Sequence, residues 1–220
     1  SGAPAHPQSR DWVAAILADP LAQPPGQGFA YASVGSHLLS AILVEATGRP
    51  VLDYAREKLF DPLGVDTTPA AEPVFAVENL AEYEAAGFAW PVDPQGIHVG
   101  WGSLKLSAPD LAKLGTLMLQ EGLWDGRQVV SRQWVAAATS THVRTGGHHA
   151  TPAYGYQWWV TTADGHPAYA ALGFGGQLIE VVPDLDLVVV VTCTIPEVTR
   201  IYETTFLTLV DTAIAPALGG

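Results

Sequence analysis

The sequence predicts an α+β fold: a helical region first, then an antiparallel sheet, then one covering helix. Three observations predict it. Apolar residues recur at helical spacing in several separate segments of the first 140 residues. From about residue 153 the chain changes to β-branched and aromatic runs separated by turn signals. Helical spacing then returns over 197–215. Helices gathered before and after a run of strands, rather than alternating with them, give helices layered on a sheet.

The elements follow in order. Residues 10–18 read as a short helix, with Asp11 near its start and Trp12, Ile16 and Leu17 on one face; Pro20 and Pro24-Pro25-Gly26 end it. Residues 33–47 form a stronger helix, with Leu38, Leu39, Ile42, Leu43 and Ala46 at helical spacing and Gly48 suited to close it. A further helix covers 51–60 and stops at Asp61-Pro62-Leu63-Gly64. Residues 65–100, rich in Pro, Ala and Glu, read as a long irregular segment, the kind that serves as a functional loop or lid. Ser107-Ala108-Pro109-Asp110 opens another helix, with Ser107 as its cap and Leu111, Leu114, Leu117 and Met118 as its apolar stripe. Ser131 caps a short helix over 131–139.

Strands are expected at 154–161, 168–172, 177–182 and 187–192, with Asp164-Gly165 and Pro183-Asp184 as turns. The run Leu187-Val188-Val189-Val190-Val191 is apolar on both faces, which predicts a central, covered strand. By residue character the chain divides into a mainly helical part, 1–150, and a part with strands and a final helix, 151–220; the two are expected to be lobes of one domain.

Composition removes several function classes. Of the 220 residues 48% are apolar and 15% charged, a core-rich globular composition. The net charge is −12, and Lys58, Lys105 and Lys113 are the only lysines. Such a chain repels phosphate backbones, so no nucleic-acid partner is expected. No apolar run is long enough to span a membrane and no basic amphipathic stretch suits a membrane surface. Cys193, the one cysteine, can form no intrachain disulfide and reads as a small buried hydrophobe. His142, His148 and His149 share a Gly/Thr loop, but without metal-ligand spacing they read as surface histidines, and neither a metal nor a cofactor is expected. No Gly-x-Ser-x-Gly elbow and no His-Glu-x-x-His occur, and the Gly-x-Gly-x-x-Gly pattern fails at Leu178.

Three blocks of short motifs stand in a particular order. The first is Pro25-Gly26, Tyr31-Ala32-Ser33 at a helix start, Ala46-Thr47-Gly48 and Pro62-Leu63-Gly64-Val65. The second is Trp101-Gly102-Ser103-Leu104, then Ser107-Ala108-Pro109-Asp110-Leu111-Ala112 and Trp124-Asp125-Gly126. The third is Tyr154-Gly155-Tyr156-Gln157-Trp158-Trp159, then Gly173-Phe174-Gly175-Gly176-Gln177 and Val182-Pro183-Asp184. Each tag is common alone. Ordered over residues 24–193, they resemble the serine β-lactamase-like, penicillin-recognising hydrolases, in the class C and esterase branch that includes D-amino-acid peptidases and amide hydrolases. The resemblance covers the C-terminal two-thirds of such a domain and implies a β-lactamase/transpeptidase-like fold.

The same resemblance implies the chemistry. Acyl transfer needs a nucleophile, a base and oxyanion donors. The family supplies the first two with Ser-x-x-Lys, which puts a hydroxyl and an ammonium on one helix face. Here the residues three before Lys58, Lys105 and Lys113 are Ala55, Gly102 and Asp110, so the motif does not occur. The nucleophile is therefore expected upstream of this chain, whose opening Ser1-Gly2-Ala3-Pro4 reads as mid-loop.

Tyr31 matches the family's tyrosine, a phenolate base or proton shuttle. An unperturbed phenol titrates near ~10, so that role needs positive charge close by, which the upstream lysine would provide. Ser33 stands where many relatives have Asn; it could donate to a substrate carbonyl and could equally cap the helix. Gly173-Phe174-Gly175 falls where relatives have Lys-Thr-Gly or His-x-Gly. Phe174 cannot bind a substrate carboxylate as those residues do, which favours a plain ester or amide over a β-lactam. Glycines there let substrate lie against a strand edge, with the Gly176 N–H as oxyanion donor, and Trp101 is expected to line the substrate site.

Two readings from different classes stand at this point: part of a serine hydrolase acting on a small ester, amide or β-lactam through an acyl-enzyme, or a non-catalytic fragment or ligand-binding module that keeps the fold. A chain without the nucleophile helix is expected to expose an apolar groove and to dimerise or exchange domains. The resemblance is compatible with a periplasmic or secreted location, and a cytoplasmic one is equally open.

Overall fold

The computed structural model describes residues 9–21, 23–75, 80–147, 151–193 and 204–219. It falls into two compact units, Ser1–Ser107 and Ala108–Gly220. The change of residue character near 150 is a different boundary: the helices at 108–119 and 132–138 belong to the same compact unit as the sheet.

In the first unit, α1 spans Trp12–Ala18 and starts at Asp11, whose carboxylate accepts from the Ala14 N–H at 2.8 Å. That bond satisfies one of the donors a helix start leaves open. Helix α2 spans Ser33–Thr47 and ends at Gly48 in the left-handed conformation. Helix α3, Val51–Ala55, runs on as a π-turn over Arg56–Phe60.

The segment 65–100 has more order than its composition predicts. Strand β1, Ala70–Ala71, pairs in parallel with β2, Phe88–Ala89, and α4, Leu80–Ala85, lies between them in sequence. Here short elements are made by tertiary contact: Phe88 and Trp90 meet Phe60 edge-on, with ring centroids 5.9 and 6.4 Å away.

Helix α2 has an unexpected orientation. Its buried residues are His37 and Ser40, whereas Leu39 and Ile42 of the apolar stripe are 50% and 61% exposed. Apolar spacing identifies the helix but not its buried face. The buried face is built around a polar pair described below.

In the second unit, α5 spans Ala108–Leu119 and α6 spans Arg132–Ala138, the latter capped by the Ser131 hydroxyl accepting from the Trp134 N–H. Between them β3, Leu123–Trp124, and β4, Arg127–Gln128, form a hairpin around Asp125-Gly126. The main sheet is antiparallel and has six strands: β5 Val143–Arg144, β6 Ala153–Tyr154, β7 Trp159–Ala163, β8 His166–Gly173, β9 Gln177–Val182 and β10 Leu187–Val191. They lie in the order β10-β9-β8-β7-β6-β5.

The strand expected over 154–161 is thus two strands, with residues 155–158 turning between them. The run 187–191 is an edge strand among the described residues, not a central one. Its apolar residues are explained by cover on both faces. Val188 and Val190 pack with Met118 of α5 and with Val135, while Leu187, Val189 and Val191 pack with Leu207 and Val210. An unbroken apolar run reports that both faces are covered, not that both edges are paired.

The covering helix is described from Thr204. It comprises α7, Thr204–Leu209, a π-turn over Val210–Ile214, and α8, Ala215–Leu218. Leu207, Val210 and Ala215 close one face of the sheet over Ala168, Ala170, Leu178 and Val182. Val198, Ile201 and Tyr202, expected in the same helix, lie outside the described residues. Among the described residues no helix is long and apolar enough to cross a membrane.

Candidate functional site

Tyr31 and Ser33 sit at the entry to α2, on either side of its N-cap residue Ala32. Ser33 is the first residue of the helix rather than its cap, and Ala32 makes no side-chain cap bond. Of the two roles open to Ser33, capping is therefore removed. Its side chain is half-buried, and Tyr31 is 41% exposed.

One turn further along, His37 anchors the helix. Its Nε2 lies 3.0 Å from Asp93 Oδ2, and both side chains are fully buried. The other Asp93 oxygen accepts from the N–H groups of Gln95 and Ile97 at 2.8 and 2.9 Å, closing the turn 93–97. A buried carboxylate requires such partners, because an unpaired one costs several kcal/mol or neutralises itself. The pair links α2 to a loop 56 residues away in sequence.

Trp101 joins the same assembly. It stacks on Trp12 with ring centroids 5.5 Å apart and meets His37 and Phe75 edge-on at 5.4 and 5.7 Å. The preceding Gly100 allows the loop to lie on α2: a Cβ there would stand 2.2 Å from the Ser36 carbonyl oxygen. Trp101 is thus a half-buried member of an aromatic cluster packed against α2.

A second buried histidine, His98, has its Nε2 3.0 Å from Glu72 Oε2. Burial lowers its pKa below the usual imidazole value, with the Glu72 carboxylate opposing that shift.

In the second unit, Gly173 ends β8, and Phe174, Gly175 and Gly176 form the turn into β9. Gly175 and Gly176 have φ of 78° and 88°, which a residue with a side chain rarely adopts. Both are buried, while Phe174 at the tip is 76% exposed.

The register shows what this hairpin can offer. The β7–β8 ladder stops at Trp159↔Ala170, but the β8–β9 ladder continues through Ala171, Leu172 and Gly173. Among the described strands, residues 171–173 therefore have no ladder partner on the β7 side. That free edge can pair with an extended acyl group. Gln177, which the sequence motif includes without a role, holds the hairpin in place: its amide donates to the Cys193 carbonyl at 2.7 Å and accepts from the Cys193 N–H at 3.0 Å. Nothing in the local sequence distinguishes Gln177 from an ordinary strand polar residue.

His142 lies outside both assemblies, and His148 and His149 lie outside the described residues. Among the described residues no group of three or more His, Cys, Asp or Glu side chains could hold a metal ion.

Several solved structures share this fold. A Bacillus anthracis protein assigned as a 6-aminohexanoate-dimer hydrolase is 21% identical and superposes with a TM-score of 0.68 over 90% of this chain and 46% of its own. A penicillin-binding protein homologue from Caulobacter crescentus, also 21% identical, superposes at 0.51 over 74% of this chain and 52% of its own. SurE, at 21% identity, does so at 0.59 over 86% and 45%. The chain spans about half the length of these structures. The family model described as Beta-lactamase matches residues 1–211, and by that match the chain belongs to the beta-lactamase family.

Proposed function

We propose that this chain carries the tyrosine-bearing helix and the oxyanion hairpin of a serine hydrolase that cleaves a small ester or amide through an acyl-enzyme. The observation that carries the reading is the free edge of β8 at residues 171–173, running into the buried Gly175-Gly176 turn. An acyl chain paired on that edge would present its carbonyl oxygen to the Gly176 N–H, where a donor stabilises the charge that develops during attack.

The nucleophile comes from a Ser-x-x-Lys segment outside these 220 residues. Its hydroxyl oxygen bonds to the acyl carbon and its proton passes to the Tyr31 phenolate. The leaving alcohol or amine then takes that proton as the scissile bond breaks. Water repeats the sequence on the acyl-enzyme and regenerates the serine. Ser33, held at the first position of α2, donates to the substrate, and Trp101 lines the acyl side of the site. The exposed Phe174 supplies apolar contact where a substrate carboxylate would need a cation, which favours an uncharged ester or amide.

A fluorophosphonate probe tests this. It should label a polypeptide in which these residues follow a Ser-x-x-Lys segment, at that serine, and should leave the 220-residue chain unlabelled. Specific label within residues 1–220 would place the nucleophile here and overturn the reading. In the longer polypeptide, Tyr31→Phe should lower kcat by about 10²–10⁴-fold; turnover within a few-fold of wild type would remove Tyr31 from proton transfer. The missing Ser-x-x-Lys also favours a second reading, a binding module without turnover. Under it, the longer polypeptide would bind esters but neither hydrolyse them nor take the label.

A further inference from the structure

A side-chain amide carries an acceptor oxygen and N–H donors, the same pairing groups as a peptide unit. Gln177 uses both on one residue. Its Nε2 donates to the Cys193 carbonyl at 2.7 Å, and its Oε1 accepts from the Cys193 N–H at 3.0 Å. Two residues facing each other at a hydrogen-bonded position of an antiparallel ladder exchange bonds in this reciprocal way. Here one of the two partners is a side chain.

The register tells which residue that side chain replaces. Strands β9 and β10 pair with Val189 opposite Glu180, Val190 opposite Ile179 and Val191 opposite Leu178. Continued by two residues, the same register sets Cys193 opposite Gly176. The backbone ladder stops short of that pair, since β10 ends at Val191 and β9 starts at Gln177. Gly176 lies in the preceding turn with φ 88°, a left-handed conformation that glycine adopts without a steric cost. The Gln177 amide takes the place opposite Cys193 that the Gly176 peptide would otherwise fill.

Gly173 leaves room for this arrangement. It is the partner of Gln177 across the β8–β9 hairpin, and a Cβ on it would stand 2.9 Å from the Gln177 Cβ and 3.3 Å from its Cγ. The stem of Gln177 therefore lies against a glycine at one end, and its amide is held by Cys193 at the other.

The consequence bears on the turn. A Cys193 with open pairing groups would draw Gly176 into the sheet and consume its N–H. A Cys193 already satisfied by Gln177 makes no such demand. We propose that Gln177 is a positioning residue: it stands in for Gly176 in the β9–β10 ladder and so keeps the buried Gly176 N–H off the sheet, open to a substrate oxygen. The use of that N–H rests on the hydrolase reading above; the exchange of partners in the ladder does not.

In the longer polypeptide, Gln177→Met keeps the stem and removes both bonds. Gly176 should then pair with Cys193, and its amide should exchange with solvent at least about 10-fold more slowly than in wild type. With that donor withdrawn, kcat should fall about 10²-fold while KM stays within about 3-fold. Gln177→Glu is closer in shape and gives the same exchange comparison at neutral pH should Gln177→Met not fold. Its carboxylate still accepts from the Cys193 N–H, but only the protonated carboxyl can donate to the Cys193 carbonyl. The kcat of Gln177→Glu relative to Gln177→Met should therefore rise, by roughly 10-fold, as pH falls through the carboxyl range near ~4–5. A role in packing alone would leave that ratio flat. Unchanged Gly176 exchange in the variants would overturn the proposal, as would turnover of Gln177→Met within a few-fold of wild type or a ratio that does not move with pH. A wild-type polypeptide without any hydrolysis would remove the hydrolase reading instead, and the Gly176 exchange would still decide whether Gln177 holds the place of Gly176.

Discussion

His37 and Asp93 determine how the start of α2 is held. Each is fully buried, and each is the other's side-chain partner at 3.0 Å. Asp93→Ala removes three acceptor contacts at once, those to His37, Gln95 and Ile97. It should destabilise the chain by about 3 kcal/mol, since it leaves a buried imidazole without its partner. Asp93→Asn keeps an oxygen for the two backbone N–H groups and should cost about 1 kcal/mol. Urea unfolding measures both, as a lower midpoint with an unchanged slope; equal midpoints for wild type and Asp93→Ala would show that the pair contributes nothing to stability. At this scale the candidate site is legible in part. Tyr31, Ser33 and Gly173–Gly176 can be singled out from sequence because each lies in a contiguous tag. His37 and Asp93 are not, because they are 56 residues apart and their pairing is a tertiary event. Asp93 reads locally as one more turn residue before Pro94 and Gly96.

At the scale of elements, strand β9 carries the least expected residue of the sheet. Glu180 shares a strand face with Leu178 and Val182, the face that the covering helix closes, and it is only 1% exposed. Its Oε2 has no hydrogen-bond partner among the described residues. Burial, and secondarily the charge of Asp211 in the π-turn, pushes its pKa from 4.5 up to about 8. Asp211 is itself anchored by the Asp164 N–H at 2.7 Å. The consequence for stability has a definite sign. Below pH 4.5 the carboxyl is protonated both folded and unfolded, so its contribution is constant. Between 4.5 and about 8 the unfolded chain releases the proton and the folded chain keeps it. Stability therefore falls as pH rises through that window, by about 1.4 kcal/mol per unit at most, and levels off above it. Glu180→Gln should remove this dependence and be the more stable protein at pH 8. Urea midpoints of the two proteins across that range check it, and parallel curves would contradict it. Residue type could not mark Glu180 as buried, since a carboxylate in a strand ordinarily reads as a solvent-facing residue. β9 itself is legible from its apolar, β-branched residues and the Pro183-Asp184 turn after it, and both of its faces are covered. The run 187–191 shows the complementary failure, since covered faces were read as a central position in the ladder.

At the scale of the whole chain, element type is largely legible and partnership is not. Helix starts at Asp11 and Ser131, the turn at Asp164-Gly165 and the β8–β9 hairpin are set by neighbouring residues and lie where local chemistry puts them. The face that α2 buries depends on residues far along the chain, so its apolar spacing is misleading there. Leu39 and Ile42 stand out from that helix at 50% and 61% exposure while His37 and Ser40 fill its inner side. Adjacent turns place the two side chains on one stripe. Apolar side chains left in water on one stripe gain by association, because burial removes apolar area at roughly 25 cal/mol per Å². The 220-residue chain is therefore expected to self-associate, with light scattering giving a mass that rises above the 23.2 kDa of one copy as concentration increases. Leu39→Lys with Ile42→Lys puts two like charges on that stripe, away from the His37–Asp93 pair. It should return the mass to 23.2 kDa with the unfolding midpoint preserved. A wild-type chain that stays at 23.2 kDa at every concentration would show that the stripe tolerates water and drives no association. Association that persists in the double variant would assign the contact to another surface, leaving the exposure of α2 without that consequence.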